Sequence, residues 1–275
     1  MKTALVMEGG AMRGMFTCGV LDVLMENGIS FDGAVGVSAG ATFGCNIKSR
    51  QIGRALRYNK KYCKDKRYHS IRSLLTTGDI YNVPFCYDEL PYKLDKWDIE
   101  TFSKNPMEFY CVATDINTGK PVYHNCKTGG KEDIIWIQAS ASMPLVSRPV
   151  EIDGGVYLDG GISDSIPLKF IESLGYDKIL VIETQPKNYV KGKQKYMLLV
   201  RWMLRKYPNM IKAMEERYLM YNEQKKYVRE KEEKGEIEVI RPLAPLNISP
   251  VETDEKELER VYQLGRAEAL KYLNK

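Results

Sequence analysis

An α/β fold built on a mostly parallel sheet is predicted by three observations. A short apolar strand runs directly into a glycine loop and a helix. A second strand ends in a tight serine-containing turn before another helix. The middle of the chain then keeps alternating β-rich and helical runs.

The elements follow in order. Lys2–Met7 reads as a buried strand, stopped by Gly9 and Gly10. From Met12 to Asn27 the apolar residues Phe16, Val20 and Leu24 fall at helical spacing, and Asn27-Gly28 is a stop signal. Ala34–Val37 is a second strand, and the spacing after it predicts one helix over 41–62. Glu108–Thr114 and Pro121–Tyr123 read as strands, and Glu132–Ser142 as a helix. Pro149–Ile152 and Val156–Leu158 flank Asp153-Gly154-Gly155, a hairpin signal. Ile179–Thr184 is a further strand of the sheet. From 187 to 234 the composition turns basic and aromatic, which predicts helices with a basic face, interrupted at Pro208. Ile237–Ile240 is a last strand, 241–250 a proline-punctuated loop, and Glu255–Leu273 a terminal helix. With no repeat and no convincing linker, residues 1–275 are expected to form a single domain. Its motif-bearing core is 1–185, and the segments 187–234 and 255–273 pack on it.

Charge and composition narrow the function. A net charge of +5 is too small to argue for nucleic acid, and no nucleic-acid-binding module is recognisable. The six cysteines form no C-x-x-C pair and have no histidine at zinc-finger spacing, so they read as reduced thiols and no metal is expected. The N-terminus lacks the long apolar run and cleavage site of a secretory signal, and no stretch approaches a membrane span. A cytoplasmic protein is expected, either free or peripheral at the membrane.

Three motifs carry chemistry. Gly36-Val37-Ser38-Ala39-Gly40 is a G-x-S-x-G at a strand-to-helix turn, which projects the serine oxygen from the sheet end; Gly36 and Gly40 leave room for neighbouring backbone. A serine that merely caps the helix is the plainer alternative. Glu8-Gly9-Gly10-Ala11-Met12-Arg13-Gly14 is a glycine loop opening a helix. Ala11 breaks the dinucleotide fingerprint, and Met15-Phe16 stand where a phosphate loop needs lysine and serine or threonine. An oxyanion hole of backbone N–H groups is the reading that remains. The base is the third question. Only His69 and His124 exist, and neither lies where a triad histidine would fall, so a carboxylate is expected. Of two Asp-Gly-Gly strings, the first is a hairpin turn, whereas Asp159-Gly160-Gly161 places Asp159 at a strand end.

Gly-Gly-Ala-Met-Arg-Gly, Gly-Val-Ser-Ala-Gly and Asp-Gly-Gly, in this order, resemble the patatin-like phospholipase family, as do the run Ala139–Pro144 and Pro167. The resemblance implies a three-layer α/β/α sandwich and a Ser–Asp dyad acting on acyl esters of lipids without a cofactor. Ser38 is then the nucleophile and Asp159 the base, with Gly9, Gly10 and Ala11 giving N–H groups to the oxyanion. Arg13 either holds the loop or attracts a head group, and Gly14, Gly160 and Gly161 support the motifs. Ala11 departs from the family's usual third glycine. It is tolerated if its φ is negative, and costs about 1 kcal/mol if φ must be positive. The basic residues of 187–229, interleaved with Leu198, Trp202 and Met203, suit transient contact with an anionic membrane surface, or equally a solvated face packed on the core. A lipid or fatty-acyl ester is the expected substrate. A small-ester esterase or thioesterase, or a non-catalytic lipid or acyl-chain binder, is the alternative.

Overall fold

The computed structural model describes residues 1–274. The N-terminal half contains β1 (Thr3–Met7), α1 (Gly14–Glu26), β2 (Gly33–Val37), α2 (Ala39–Thr42), α3 (Cys45–Lys48), α4 (Arg54–Tyr62) and α5 (Ile71–Thr77). A wide π-type coil over Phe85–Leu94 and α6 (Ile99–Lys104) lead to β3 (Glu108–Asp115), β4 (Pro121–Asn125) and α7 (Lys131–Ser140). There follow β5 (Val150–Ile152), β6 (Gly155–Asp159), α8 (Leu168–Ser173), β7 (Lys178–Ile182), α9 (Met197–Met203), α10 (Pro208–Glu233), β8 (Glu238–Ile240) and α11 (Glu255–Leu273).

Eight strands form one sheet in the order β5-β6-β3-β2-β1-β7-β8, with β4 also on β3. The pairs from β3 through β2, β1 and β7 to β8 are parallel, and those of β4, β5 and β6 antiparallel. Alternation along β1 makes the layers. Leu5 and Met7 join α1 and α11 on one face, while Ala4 and Val6 join α8 and α10 on the other. This is the expected α/β/α sandwich. Helix α1 meets α11 almost backbone to backbone, since a Cβ on Gly19 would lie 2.0 Å from the Tyr262 carbonyl and one on Gly265 2.0 Å from that of Phe16.

The register of β3 decides where the chemistry converges. β4 pairs with Tyr110–Thr114, which overlaps both the stretch paired with β2 (Glu108–Val112) and that paired with β6 (Ala113–Asp115). β2 and β6 must therefore share the opposite edge of β3, end to end and running toward each other. Val37 pairs with Val112 and Asp159 with Ala113, so the residue after Val37 meets Asp159.

The expected continuous helix over 41–62 is three pieces. Gly44 lets the turn collapse onto the chain, where a Cβ would lie 2.1 Å from the Gly40 carbonyl, and Arg50 and Gly53 take positive φ of 54° and 71°. Pro208 does not interrupt a helix but begins α10, where its missing N–H costs nothing. The hairpin at Asp153-Gly154 has both φ positive, 51° and 80°, as a tight two-residue turn requires.

Candidate active site

Ser38 holds a backbone of φ 54° and ψ −118°, sharply bent between β2 and α2. The bend is possible because Gly36 and Gly40 carry no side chain; a Cβ on Gly36 would lie 2.2 Å from the Gly40 carbonyl, and one on Gly40 2.4 Å from that of Met7. The Ser38 N–H donates to Ser140 Oγ at 3.0 Å, which ties the turn to the end of α7.

Asp159 ends β6 and is 1% exposed. Its Oδ1 accepts the Gly161 N–H at 2.7 Å. Ser38 is close enough to act on the carboxylate as a donor, yet the contact falls short of a formed hydrogen bond, leaving the buried Oδ2 without a partner. Catalytic hydrogen bonds are often loose before substrate binds. Burial pushes the Asp159 carboxyl above its ordinary value, opposed by the positive charge of Arg217, the Ser38 hydroxyl and the Gly161 N–H.

The glycine loop faces this pair. Gly9 packs on the serine turn, where a Cβ would come within 3.0 Å of Ser38 Cβ and of the Val37 carbonyl. Among the described residues, the N–H groups of Gly9, Gly10 and Ala11 have no backbone acceptor. A network beneath holds the loop in place. Glu8 Oε2 accepts the Thr184 N–H at 2.5 Å, Glu8 Oε1 accepts Tyr221 Oη at 2.6 Å, and Thr184 Oγ1 donates to the Gly9 carbonyl at 3.1 Å. Below that lies a buried ion cluster, with Glu183 3.0 Å from Lys225 Nζ and 2.6 Å from Arg241 Nε. Ala11 has φ 48°, so the left-handed alternative weighed for this position holds, with its strain.

Ser38, Asp159, Gly9, Gly10, Ala11 and Arg13 all line one cavity of about 680 Å³. That volume lies within the range of small-molecule sites. Much of the remaining lining is apolar, with Phe43, Tyr81, Leu90, Ile137, Met143 and Leu145. Gly14, Gly36, Gly40 and Gly160 lie behind the cavity wall and serve close packing; a Cβ on Gly160 would lie 2.1 Å from the Val112 carbonyl.

Neither histidine lines this cavity. His69 is buried against Tyr68 and Tyr81. His124 is half-buried within β4, stacked on Trp136 and 2.9 Å from Asp133 Oδ1. With Cys126 these two form a group whose possible ligand atoms lie within 4.8 Å. Asp133 is already committed to His124 and to the N–H groups of Thr128 and Gly129, and the Lys48 ammonium sits beside Cys126 at its carbonyl, so the cluster is a structural one.

Sequence reasoning missed Lys191 and Arg217 as cavity residues, although both reach the dyad side. Arg217 Nε donates to the Gly161 carbonyl at 2.6 Å. They were legible only as two cations among many in a basic segment. That segment also needs correction at Lys225, which is 1% exposed and ion-paired, not part of a basic surface. A helix that crosses over the sheet buries one face, and a cation there keeps its charge only beside a carboxylate.

Residues 207–275 match a domain of unknown function (DUF6363). An uncharacterised protein of Escherichia coli, YjjU, is 28% identical over 96% of this chain and 75% of its own length. The lysophospholipase nte1 of Aspergillus terreus is 27% identical over 66% of this chain, which spans only 12% of that protein. The crystal structure of VipD from Legionella pneumophila superposes with a TM-score of 0.51 at 13% identity, covering 99% of this chain and 67% of that one, and shows the same fold. Residues 5–170 match the patatin-like phospholipases, and the chain belongs to the patatin-like phospholipase family of lipid acyl hydrolases.

Proposed function

We propose that the protein cleaves carboxylic ester bonds of phospholipids or lysophospholipids with Ser38 as nucleophile and Asp159 as general base. The observation that carries this reading is the shared edge of β3, which brings the residue after Val37 against Asp159 at one end of a lipid-sized cavity. The likeness to a lysophospholipase supports the substrate class.

Ser38 Oγ attacks the ester carbonyl as its proton passes to Asp159. The oxyanion is met by the N–H groups of Gly9, Gly10 and Ala11. On collapse Asp159 returns the proton to the leaving alkoxide, and the acyl group stays on Ser38. Water then attacks the acyl-enzyme with Asp159 again accepting the proton, and the fatty acid leaves. Residues 1–275 act as one unit in this reading, since Tyr221 of α10 holds Glu8 of the first motif.

The lipid enters from a docking face. Tyr196 lines the cavity and is 65% exposed, and beside it in α9 Leu198 and Trp202 are 83% and 66% exposed. Lys193, Lys195, Arg205 and Lys206 surround them, exposed. Apolar side chains ringed by cations suit an anionic lipid surface. No helix among the described residues is long and apolar enough to cross a membrane.

Intact mass after a fluorophosphonate tests the chemistry. Wild type gains one adduct, Ser38→Ala gains none, and Asp159→Asn reacts about 10²–10⁴-fold more slowly. No adduct on folded wild type overturns the dyad. Flotation with phosphatidylglycerol vesicles tests the face: a Leu198→Ser/Trp202→Ser double variant should lose binding, and binding at the wild-type level refutes the docking face.

A further inference from the structure

Three cations from three separate parts of the chain converge on the serine side of the cavity: Arg13 after the glycine loop, Lys191 in the segment after β7, and Arg217 on α10. None of them is in an ion pair among the described residues. Arg13 Nε reaches Thr184 Oγ1 at 3.4 Å, Arg217 Nε is held by the Gly161 carbonyl, and the Lys191 ammonium lies 4.7 Å from the centre of the Tyr221 ring. Of the nearby acids, Glu8 is engaged by Tyr221 and Thr184, and Asp159 is engaged at Oδ1 by Gly161 and offsets part of the Arg217 charge. Elsewhere Lys225 and Arg241 pair with Glu183 and Arg54 with Asp95, while buried Lys48 rests on the Cys126 carbonyl. Three like charges in a half-buried cleft, only partly offset by Glu8 and Asp159, repel one another and lose hydration, a cost that an incoming anion removes.

We propose that Lys191 and Arg217, with Arg13 on the same side of the cavity, form a subsite for a phosphate group of the ester whose carbonyl reaches Ser38. A phosphate presents several acceptor oxygens to converging donors, and an arginine fork and a lysine point charge suit it together. The two residues lie beyond the 5–170 stretch that defines the family, and Arg217 belongs to the segment of unknown function, to which this assigns a role in substrate recognition. The inference rests on the hydrolase reading for its substrate, but the anion site itself does not.

Lys191 gives the subsite a pH signature. Burial, Arg217 and Arg13 bring its ammonium pKa down to about 8, against the opposing charges of Glu8 and Asp159, while Tyr221 packs on it from α10. Guanidinium groups are not deprotonated in this pH range, so phosphate preference weakens as pH rises through 8 and persists in Lys191→Arg.

The test pairs two esters with the same acyl chain, lysophosphatidylglycerol and monoacylglycerol, on wild type, Lys191→Gln, Arg217→Gln and Lys191→Arg. Expected is a fall in kcat/KM of about tenfold to a hundredfold on the phosphate ester relative to the neutral one in each Gln variant, the range for one lost charge-assisted hydrogen bond; Lys191→Gln leaves the neutral ester little changed, while Arg217→Gln, whose lost charge also acts on Asp159, is read on the ratio alone. Lys191→Arg should retain the preference. Parallel losses on both esters, or an unchanged ratio, overturn the subsite. Inorganic phosphate separates the two sources of the anion. A rise in Tm that wild type shows and Lys191→Gln lacks means the free ion is held; a changed ester ratio without that rise means the lipid head group is required. If wild type hydrolyses neither ester and takes no fluorophosphonate, the hydrolase reading fails, and the phosphate-dependent rise in Tm alone decides the subsite. Its absence there overturns the proposal.

Discussion

Replacing Ala11 by glycine tests the strain in the glycine loop after β1. Ala11 sits at φ 48°, where an L side chain costs about 1–2 kcal/mol and glycine essentially nothing. Glycine in turn gives back about 0.4–1 kcal/mol through the greater freedom of the unfolded chain. The methyl is only half-buried at the cavity wall, so little packing is lost. The balance favours Ala11→Gly by roughly 0.5–1 kcal/mol. At about 2.1 cal/mol/K per residue the unfolding entropy of a chain this size is near 0.6 kcal/mol/K, so Tm should rise by about 1–2 °C. Gly10→Ala is the opposing control, because its Cβ would stand 2.7 Å from Thr184 Oγ1 and should lower Tm. Thermal unfolding followed by circular dichroism, with urea titration for the free energy, reads both. A lower Tm in Ala11→Gly, or a Gly10→Ala as stable as wild type, would refute the placement of strain in this loop.

Two further predictions concern the buried charges. As the base of the proposed dyad Asp159 must be deprotonated, so activity should fall as pH drops through its carboxyl pKa; because burial raises that pKa, the acid limb of kcat/KM should lie above the ordinary carboxylate range. Arg217→Gln removes a cation that holds the pKa down and should move the limb to higher pH, which a limb unmoved in a pH–rate profile contradicts. Lys225→Met leaves Glu183 with one cation instead of two and should cost about 3 kcal/mol, or about 5 °C in Tm. A Glu183→Leu partner substitution should return part of that loss in a double-mutant cycle, and no loss in the single variant rules out a stabilising pair.

Much of this protein was legible along the chain, because the signals are local. Strand period, helical spacing and glycine punctuation located β1, α1, β2, β3, β7 and α11, and the order of three short motifs identified the family and singled out Ser38 and Asp159. The tertiary structure decided what depends on distant residues meeting. Ser38 and Asp159 lie 121 positions apart, and only the sharing of one edge of β3 by two strands brings them together. No local pattern distinguishes Lys225, buried in an ion cluster, from the exposed Lys226 beside it, because which face of α10 is covered is set by the sheet beneath it. The positive φ at Ala11 shows only in the folded loop, and α2 to α4 break apart because Gly44 lets backbone meet backbone. Local propensity determined the elements; packing and the burial of charge determined which of their side chains share a cavity.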